Sequence, residues 1–472
     1  MSSRRSAVVI STLAASALAL LGTAVAAAAP SPASSAQPSP VSSAQPSPVT
    51  YPIVAGVNDA LAVQVRAALG LSTDASVLGQ LTSSHDLVAL PNGVYLTPVE
   101  SAEIQRRNVV AASLPTLTDA LEAQYSQYFA GIGIDQEAAG EVVVVLLPGY
   151  PAAVPQLITN TLPVGTNYAI TAGHYSLVKI QDVENDIIGA NAASIAAKGG
   201  LVQRVAIDEL ANEVTVTTTA QSYSTTDAIL NSLYGTAVKV TVDNTVPVAV
   251  DRNTPQVHMI DGDNIETPGG GCTGGFSAIT PDGHYWLITA GHCQGTNWYV
   301  GPTTNNYFIG PKHKSLFMGT TDCDCETIGP ITTTQTWNRP NNVIYNAPNV
   351  YWNITQYAAS GSALTQGQTL YFSGAKGGGS GHVVMVTVSQ ENAHGTYDGV
   401  TVNDLVQVTT VGGSAVSGDS GAPVYNQLGG SLVRIDGVVA AALGSSGMLF
   451  SPTWVILDPT IGLNSTPLTY QP

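Results

Sequence analysis

Two glycines bracket a serine in the run Ser417-Gly418-Asp419-Ser420-Gly421-Ala422-Pro423-Val424. Neither glycine carries a Cβ, so the backbone there can bend sharply and lie close against a substrate carbonyl. A free serine hydroxyl is a weak nucleophile at neutral pH. It needs an imidazole within hydrogen-bond reach and a third group that fixes the imidazole's tautomer. Upstream, Leu287-Ile288-Thr289-Ala290-Gly291-His292-Cys293 ends an apolar run on a histidine. Ser420 is the candidate nucleophile and His292 the candidate base, 128 positions upstream, which demands a fold that closes that separation.

Charge bounds the partners. The chain has 472 residues with 15 basic and 32 acidic side chains, a formal charge of −17, which disfavours nucleic acid or an anionic membrane as a partner. From Cys272 onward five basic side chains stand against ten acidic ones, so both halves are acidic. The length is ample for at least one large hydrophobic core.

Residues 1–29 read as an export signal, with Arg4 and Arg5, an apolar run from Ala7 to about Leu21, and the small-residue end Ala24-Val25-Ala26-Ala27-Ala28-Ala29. About twenty apolar residues could instead anchor a chain in a bilayer. The Ala-x-Ala ending and the Pro/Ser tract after it favour cleavage. The paired arginines also admit the twin-arginine route, but Ser6-Ala7-Val8 lacks the bulky residues usual there. The expected location is extracellular, with no membrane contact after signal removal. All four cysteines lie between 272 and 325, fit an oxidising destination and allow three pairings.

Residues 30–50 form a spacer that repeats Ser34-Ser35-Ala36-Gln37-Pro38-Ser39-Pro40-Val41 as Ser42 to Val49. A proline every few positions and no aliphatic cluster leave it unable to bury a core. Residues 51–255 mix helix and strand without a cysteine, an α+β pattern. Thr116 with Asp119 resembles a capping box opening a helix with Leu117, Leu121, Tyr125 and Tyr128 on one face. Val142–Leu147, Val214–Val216 and Val238–Val242 read as strands; Val183, Ile187 and Ile195 suggest one helix, Ile229 and Leu233 another. From 256 to 472 Gly, Thr, Asn and Val dominate in short alternating runs, the pattern of an all-β domain. Strands are expected at Phe276–Ile279, Tyr285–Thr289, Leu370–Phe372, His382–Val388, Leu405–Thr409, Val424–Tyr425 and Gly437–Ala442.

Thr289-Ala290-Gly291-His292-Cys293 taken with Gly418-Asp419-Ser420-Gly421 resembles the chymotrypsin-like serine endopeptidases, and within them the secreted bacterial streptogrisin type made with a long pro-region. The resemblance implies two antiparallel β-barrels over about the last two hundred residues, with the site in the cleft between them, preceded by an α+β pro-region that assists folding and blocks the cleft until cut near Val257 to Asp261 or within Ile260-Asp261-Gly262-Asp263. It implies protein or peptide substrates, the chain's own pro-region as intramolecular inhibitor, and no metal or other cofactor; a monomer is expected. It also implies a Cys272–Cys293 bridge beside the histidine. Cys323 and Cys325 could bridge each other, stay free or bind a metal, the last disfavoured by the want of a second ligand cluster.

The third member of the site lies in Asp322-Cys323-Asp324-Cys325-Glu326. The family's acid begins a buried strand, and Ile328 and Ile331 follow Asp324 more closely than Asp322, so Asp324 is the choice and Asp322 the runner-up. Glu326 departs from the small or apolar residue expected there. The backbone N–H groups of Gly418 and Ser420 are the candidate oxyanion donors. Asp419 needs a partner, with Arg434 and Lys376 as candidates. Ser414 marks the expected pocket floor and Ala441 a later wall; with no acid there, an apolar or aromatic residue before the cut is expected. Thr171-Ala172-Gly173-His174-Tyr175 repeats four residues of the histidine motif but has no second serine motif, so His174 is read as a decoy. The rival readings are an inactive, protease-like secreted binding protein, and an α/β-hydrolase, which would need a glycine at Ala422.

Overall fold

Thr97-Pro98-Val99-Glu100 opens the longest helix, Pro98–Tyr125, in the computed structural model. The structure describes residues 53–244, 261–301, 308–331, 343–347, 350–361, 364–375, 383–429 and 432–467. The Thr97 hydroxyl accepts the Glu100 N–H at 3.2 Å, and the Glu100 carboxylate accepts the Thr97 N–H at 3.0 Å, a reciprocal cap with Pro98 in the first turn. The helix therefore starts well before Thr116, the expected start. Pro115 lies inside it, where a missing N–H removes one backbone bond. The helix runs through because Leu114, Leu117 and Leu121, all wholly buried, hold both sides of the proline in one core.

That core is completed by a three-stranded sheet in which Glu141–Leu146 pairs antiparallel with Phe129–Asp135 and parallel with Tyr168–Ala172. The expected strands at 142–147, 214–216 and 238–242 are present as Glu141–Leu146, Glu213–Thr218 and Val238–Val242. The helix suggested by Val183, Ile187 and Ile195 is two, Leu177–Ile188 and Ala192–Ala197, because Gly189 caps the first. The N-terminal region is α+β.

Beyond residue 261 the chain is mostly strand. Eight strands form one sheet in the order Gly270–Thr273, Asn264–Thr267, Asn297–Val300, Phe308–Ser315, Glu326–Ile328, Tyr285–Thr289, Phe276–Ile279 and Thr466–Pro467. In the larger sheet six strands return on themselves: Val383–Tyr397, Val400–Val411, Gly447–Pro452, Leu432–Leu443, Pro423–Gly429 and Thr369–Ser373, the last pairing again with Val383–Tyr397. Among the described residues the eight-stranded sheet has no such closure. The larger sheet also contains, among the described residues, three parallel pairs, Thr320–Thr321 on Thr401–Val402, Val350–Tyr357 on Leu432–Leu443 and Glu213–Thr218 on Val238–Val242. No helix among the described residues is long and apolar enough to cross a membrane. The export segment, the spacer, the boundary at 255/256 and Lys376 lie outside the described residues.

The two regions share a sheet. Arg204–Asp208 pairs antiparallel with Val383–Tyr397, Ile207 opposite Glu391 and Val205 opposite His394. Glu184 on the helix Leu177–Ile188 meets this seam, its Oε1 4.0 Å from His394 Nε2. Burial, with the Asp404 charge, pushes Glu184 up to about 8, and burial pushes His394 below its ordinary value. Burial and Asp322 raise Asp404. Farther along the seam, burial with Glu122 and Asp208 pushes Glu209 up to about 7 against an opposing Ile132 N–H bond, and burial with Glu209 raises Glu391 well above its usual value.

A carboxyl raised in the folded state supports it while protonated, and that support is lost as pH rises through the raised value. His394 works in the opposite sense but only below its ordinary value of 6.5. Between pH 6.5 and about 8 His394 no longer opposes the raised seam carboxyls, and Glu326 and His292, both also raised, act in the same sense, so the urea midpoint of the full chain should fall across that window. Glu184→Gln should flatten the fall; a midpoint level from 6.5 to 8 in the parent chain would contradict the assignment.

Candidate active site

His292 is delivered by a strand and held by a bridge. Trp286, Leu287 and Ile288 bury the strand Tyr285–Thr289, which runs into the short turn Gly291–Cys293. Cys293 is bonded to Cys272 on the strand Gly270–Thr273. A Cβ on Gly291 would stand 2.8 Å from Phe317 Cβ and 3.0 Å from the Cys325 nitrogen, so the bare glycine lets the histidine turn lie directly on the segment carrying the acid.

Asp324 meets it there, wholly buried. Its Oδ1 accepts the His292 backbone N–H at 2.8 Å, and its Oδ2 lies 2.6 Å from His292 Nδ1. Its own N–H donates to Ser451 Oγ at 3.1 Å, and Tyr397 donates its hydroxyl to Oδ2 at 2.8 Å. Cys323 and Cys325 are bonded to each other around it, the first of the three fates open to them. Asp322 points elsewhere, its Oδ1 accepting from Asn403 Nδ2 at 3.0 Å. Glu326 is a buried acid that accepts Trp298 Nε1–H at 3.0 Å; burial pushes it up to about 8, with Lys312 opposing, so at neutral pH it is largely uncharged and substitutes for the expected apolar residue.

The serine turn closes the set. Ser420 Oγ lies 2.8 Å from His292 Nε2. Gly421 has φ +83°, and a Cβ there would stand 2.0 Å from Thr289 Oγ1 and 2.4 Å from the Thr273 carbonyl oxygen. Only glycine fits, and that close approach puts the turn against the strand leading to His292. Thr273 ties the turn down, its N–H donating to Ser420 O at 2.7 Å and its hydroxyl to Gly418 O. Gly418 has φ +108°, and no acceptor among the described residues takes its N–H or that of Ser420. Asp419 accepts the Val416 N–H at 2.9 Å and lies against the Gly374 backbone. Arg434, one of its two candidate partners, pairs instead with Asp436 at 2.6 Å, because the two are neighbours on one face of the strand Leu432–Leu443.

The site is covered. Ser420 has no exposure and the His292 side chain 3%. Phe317 and Tyr397 pack edge-on to the imidazole at 5.7 and 6.0 Å. Burial alone would lower the histidine's pKa; the charge and hydrogen bond of Asp324, with Asp398, outweigh it and hold the value above 6.5. Ala441 is buried in a cluster with Phe317, Tyr397 and Leu449, while Ser414 is half-buried ahead of Ala415. His174 is exposed; its N–H and that of Tyr175 donate to Asn212 Oδ1 at 2.7 and 2.8 Å. Cys272, Cys293 and His292 bring three ligand-type atoms within 4.8 Å, but the sulfurs are joined to each other and the imidazole is held by Asp324 and Ser420.

Tyr397, Ser451 and Phe317 were not visible as site residues in the sequence. The nearest signal is Asp398-Gly399, both at positive φ (49° and 77°), a two-residue hairpin turn that places Tyr397 at the tip without saying what the tip touches.

No family model matches the chain, and no curated protein does. Among solved structures, Thermobifida fusca protease A is 21% identical over 45% of this chain and 100% of that one, at a TM-score of 0.36. Cellulomonas bogoriensis chymotrypsin is 21% identical over 45% of this chain and 100% of that one, at 0.35. An alpha-lytic protease homolog, N4, is 20% identical over 43% and 96%, at 0.34. Each is similar to less than half of this chain, at low identity.

The bridge spans 21 residues of sequence, so removing it frees the unfolded chain by about 3 kcal/mol. Cys272→Ala with Cys293→Ala should lower the unfolding free energy by that order and so lower the urea midpoint, and an unchanged midpoint would show that packing alone holds the histidine turn.

Proposed function

We propose that the chain is a secreted serine endopeptidase, made as a precursor, that hydrolyses peptide bonds through an acyl-enzyme on Ser420. The observation that carries this reading is the continuous line from Asp324 Oδ2 to His292 Nδ1 at 2.6 Å and from Nε2 to Ser420 Oγ at 2.8 Å. His292 takes the hydroxyl proton as Oγ attacks the carbonyl, then gives it to the leaving amine; a water repeats the sequence on the acyl-enzyme. Asp324 keeps the proton on Nδ1 and balances the imidazolium. The N–H groups of Gly418 and Ser420, without acceptors among the described residues, receive the oxyanion.

The closed ring of six strands supports the reading of a barrel in the second half, within a catalytic region 256–472. Residues 51–255 act as pro-region and intramolecular inhibitor, a role supported by the pairing of Arg204–Asp208 with the strand that ends at Tyr397 and by Ala206 packing in one cluster with Phe317 and Tyr397. Asp261 and Asp263 are each 2% exposed, so a cut within Ile260 to Asp263 requires that stretch to lift out first; Val257 to Ile260 lie outside the described residues. Ser414 and Ala441 flank the side-chain pocket, which takes an apolar or aromatic residue.

The test is labelling of the secreted protein with a fluorophosphonate, followed by kinetics on a peptide library. The processed chain should be labelled at Ser420, and Ser420→Ala and His292→Ala should each lose about 10^6-fold in turnover while folding normally. Asp324→Asn should lose about 10^4-fold. The base works only as neutral imidazole, so kcat/KM should fall with acid at a midpoint above 6.5, the side to which the pKa is moved. A processed chain that is neither labelled nor active is the outcome of the rival reading, an inactive secreted binding protein.

A further inference from the structure

We propose that Tyr397 is a positioning residue for this reaction, its hydroxyl holding the Asp324 carboxylate in the orientation that keeps a proton on His292 Nδ1 and leaves Nε2 to Ser420. The inference rests on the catalytic reading above and adds a member that the three-residue site does not contain.

A structural role explains the ring but not the hydroxyl. The ring sits 2% exposed in an apolar cluster with Phe317, Ala440, Ala441 and Leu449, and a phenylalanine would fill the same space. The phenolic oxygen is buried too and needs a partner. Its partner is the one carboxylate oxygen that also faces the imidazole, at 2.8 Å against 2.6 Å for Nδ1. The other oxygen is held by the His292 backbone N–H at 2.8 Å. Two donors come from the histidine itself, so Tyr397 is the side chain outside the pair that fixes the rotation of the carboxylate about its Cβ. Burial, reinforced by the Asp324 charge, holds the phenol pKa well above 10, so it remains a donor throughout the working range.

The position of Tyr397 is itself constrained. It ends the strand Val383–Tyr397, turns through Asp398 and Gly399, and pairs with Val400. Tyr397 packs tilted against Phe317 at 5.4 Å, and both rings meet the imidazole edge-on, so the ring that carries the hydroxyl is fixed from two sides.

A donor on Oδ2 spreads the carboxylate's charge and weakens its hold on the imidazolium; taking the donor away strengthens that hold. Tyr397→Phe also frees the carboxylate to rotate away from Nδ1, and that loss of orientation should lower kcat roughly ten- to hundredfold, the range for a lost hydrogen bond to a charged group. KM should stay within about twofold, because substrate does not touch the hydroxyl. The acid midpoint of kcat/KM should move upward, and 3-fluorotyrosine at 397, a stronger donor of nearly the same shape, should move it downward. Fluorophosphonate titration of reactive Ser420 sets each kcat on a per-site basis.

Unchanged kcat per labelled site and an unmoved acid midpoint would overturn the proposal, as would a Tyr397→Phe loss confined to the labelled fraction. Should the phenylalanine variant not fold, the fluorotyrosine chain decides alone, an unmoved midpoint overturning the proposal. A parent chain that is not labelled at all would instead be the failure of the catalytic reading.

Discussion

A single buried negative charge organises the site. Asp324 is removed from water, and a carboxylate there costs several kcal/mol unless donors surround it. The His292 backbone, the His292 ring and the Tyr397 hydroxyl provide them, while Ser451 holds the backbone of the acid. The requirement works in both directions. The carboxylate draws the imidazole into one tautomer and one orientation, and that orientation places Nε2 at Ser420. An amide at 324 would keep the shape and lose the charge that does this.

The hairpin Val383–Val411 is the element through which distant parts of the chain meet the acid. Its first strand pairs with Arg204–Asp208 of the N-terminal region, its tip carries Tyr397, and its second strand pairs in parallel with Thr320–Thr321 immediately before Asp322. Asn403, on that second strand, holds Asp322 by one bond and meets His394 Nδ1 at 3.1 Å by another. Asp322 thus ties the acid's segment to the hairpin, and Asp324 faces the histidine. The seam that joins the N-terminal region to this hairpin is rich in carboxyls whose pKa values burial raises, at a place continuous with the strand that ends at Tyr397.

The motif residues were legible because their constraints are local. Gly421 must be glycine for a turn that any reader can see around Ser420, and the apolar run before His292 alternates as a buried strand does. Strands such as Phe276–Ile279 and Tyr285–Thr289 were bounded correctly from the same alternation. Where local signals competed, the reading failed for a definable reason. Thr116 looked like a cap because Asp119 stands three residues on in a capping-box-like pattern, and only the shared core on both sides of Pro115 keeps the helix going. Arg434 looked like a partner for Asp419 because it was an available cation, but its strand neighbour Asp436 was nearer.

From the sequence alone came the serine and histidine, the preference for Asp324 over Asp322, the α+β then β order of the chain, and the acidic balance of both halves. All are properties of residue type, spacing and short-range pattern, except the preference for Asp324, which also took from the resemblance that the acid precedes a buried strand. The closing of Cys323 onto Cys325, the burial of Ser420, the hydrogen bond from Tyr397 and the sharing of one sheet by both regions were decided by the tertiary structure. Each depends on which surfaces meet across a hundred or more residues or on how a backbone is bent by its neighbours. Spacing along a chain does not encode that until the core has selected one packing among many.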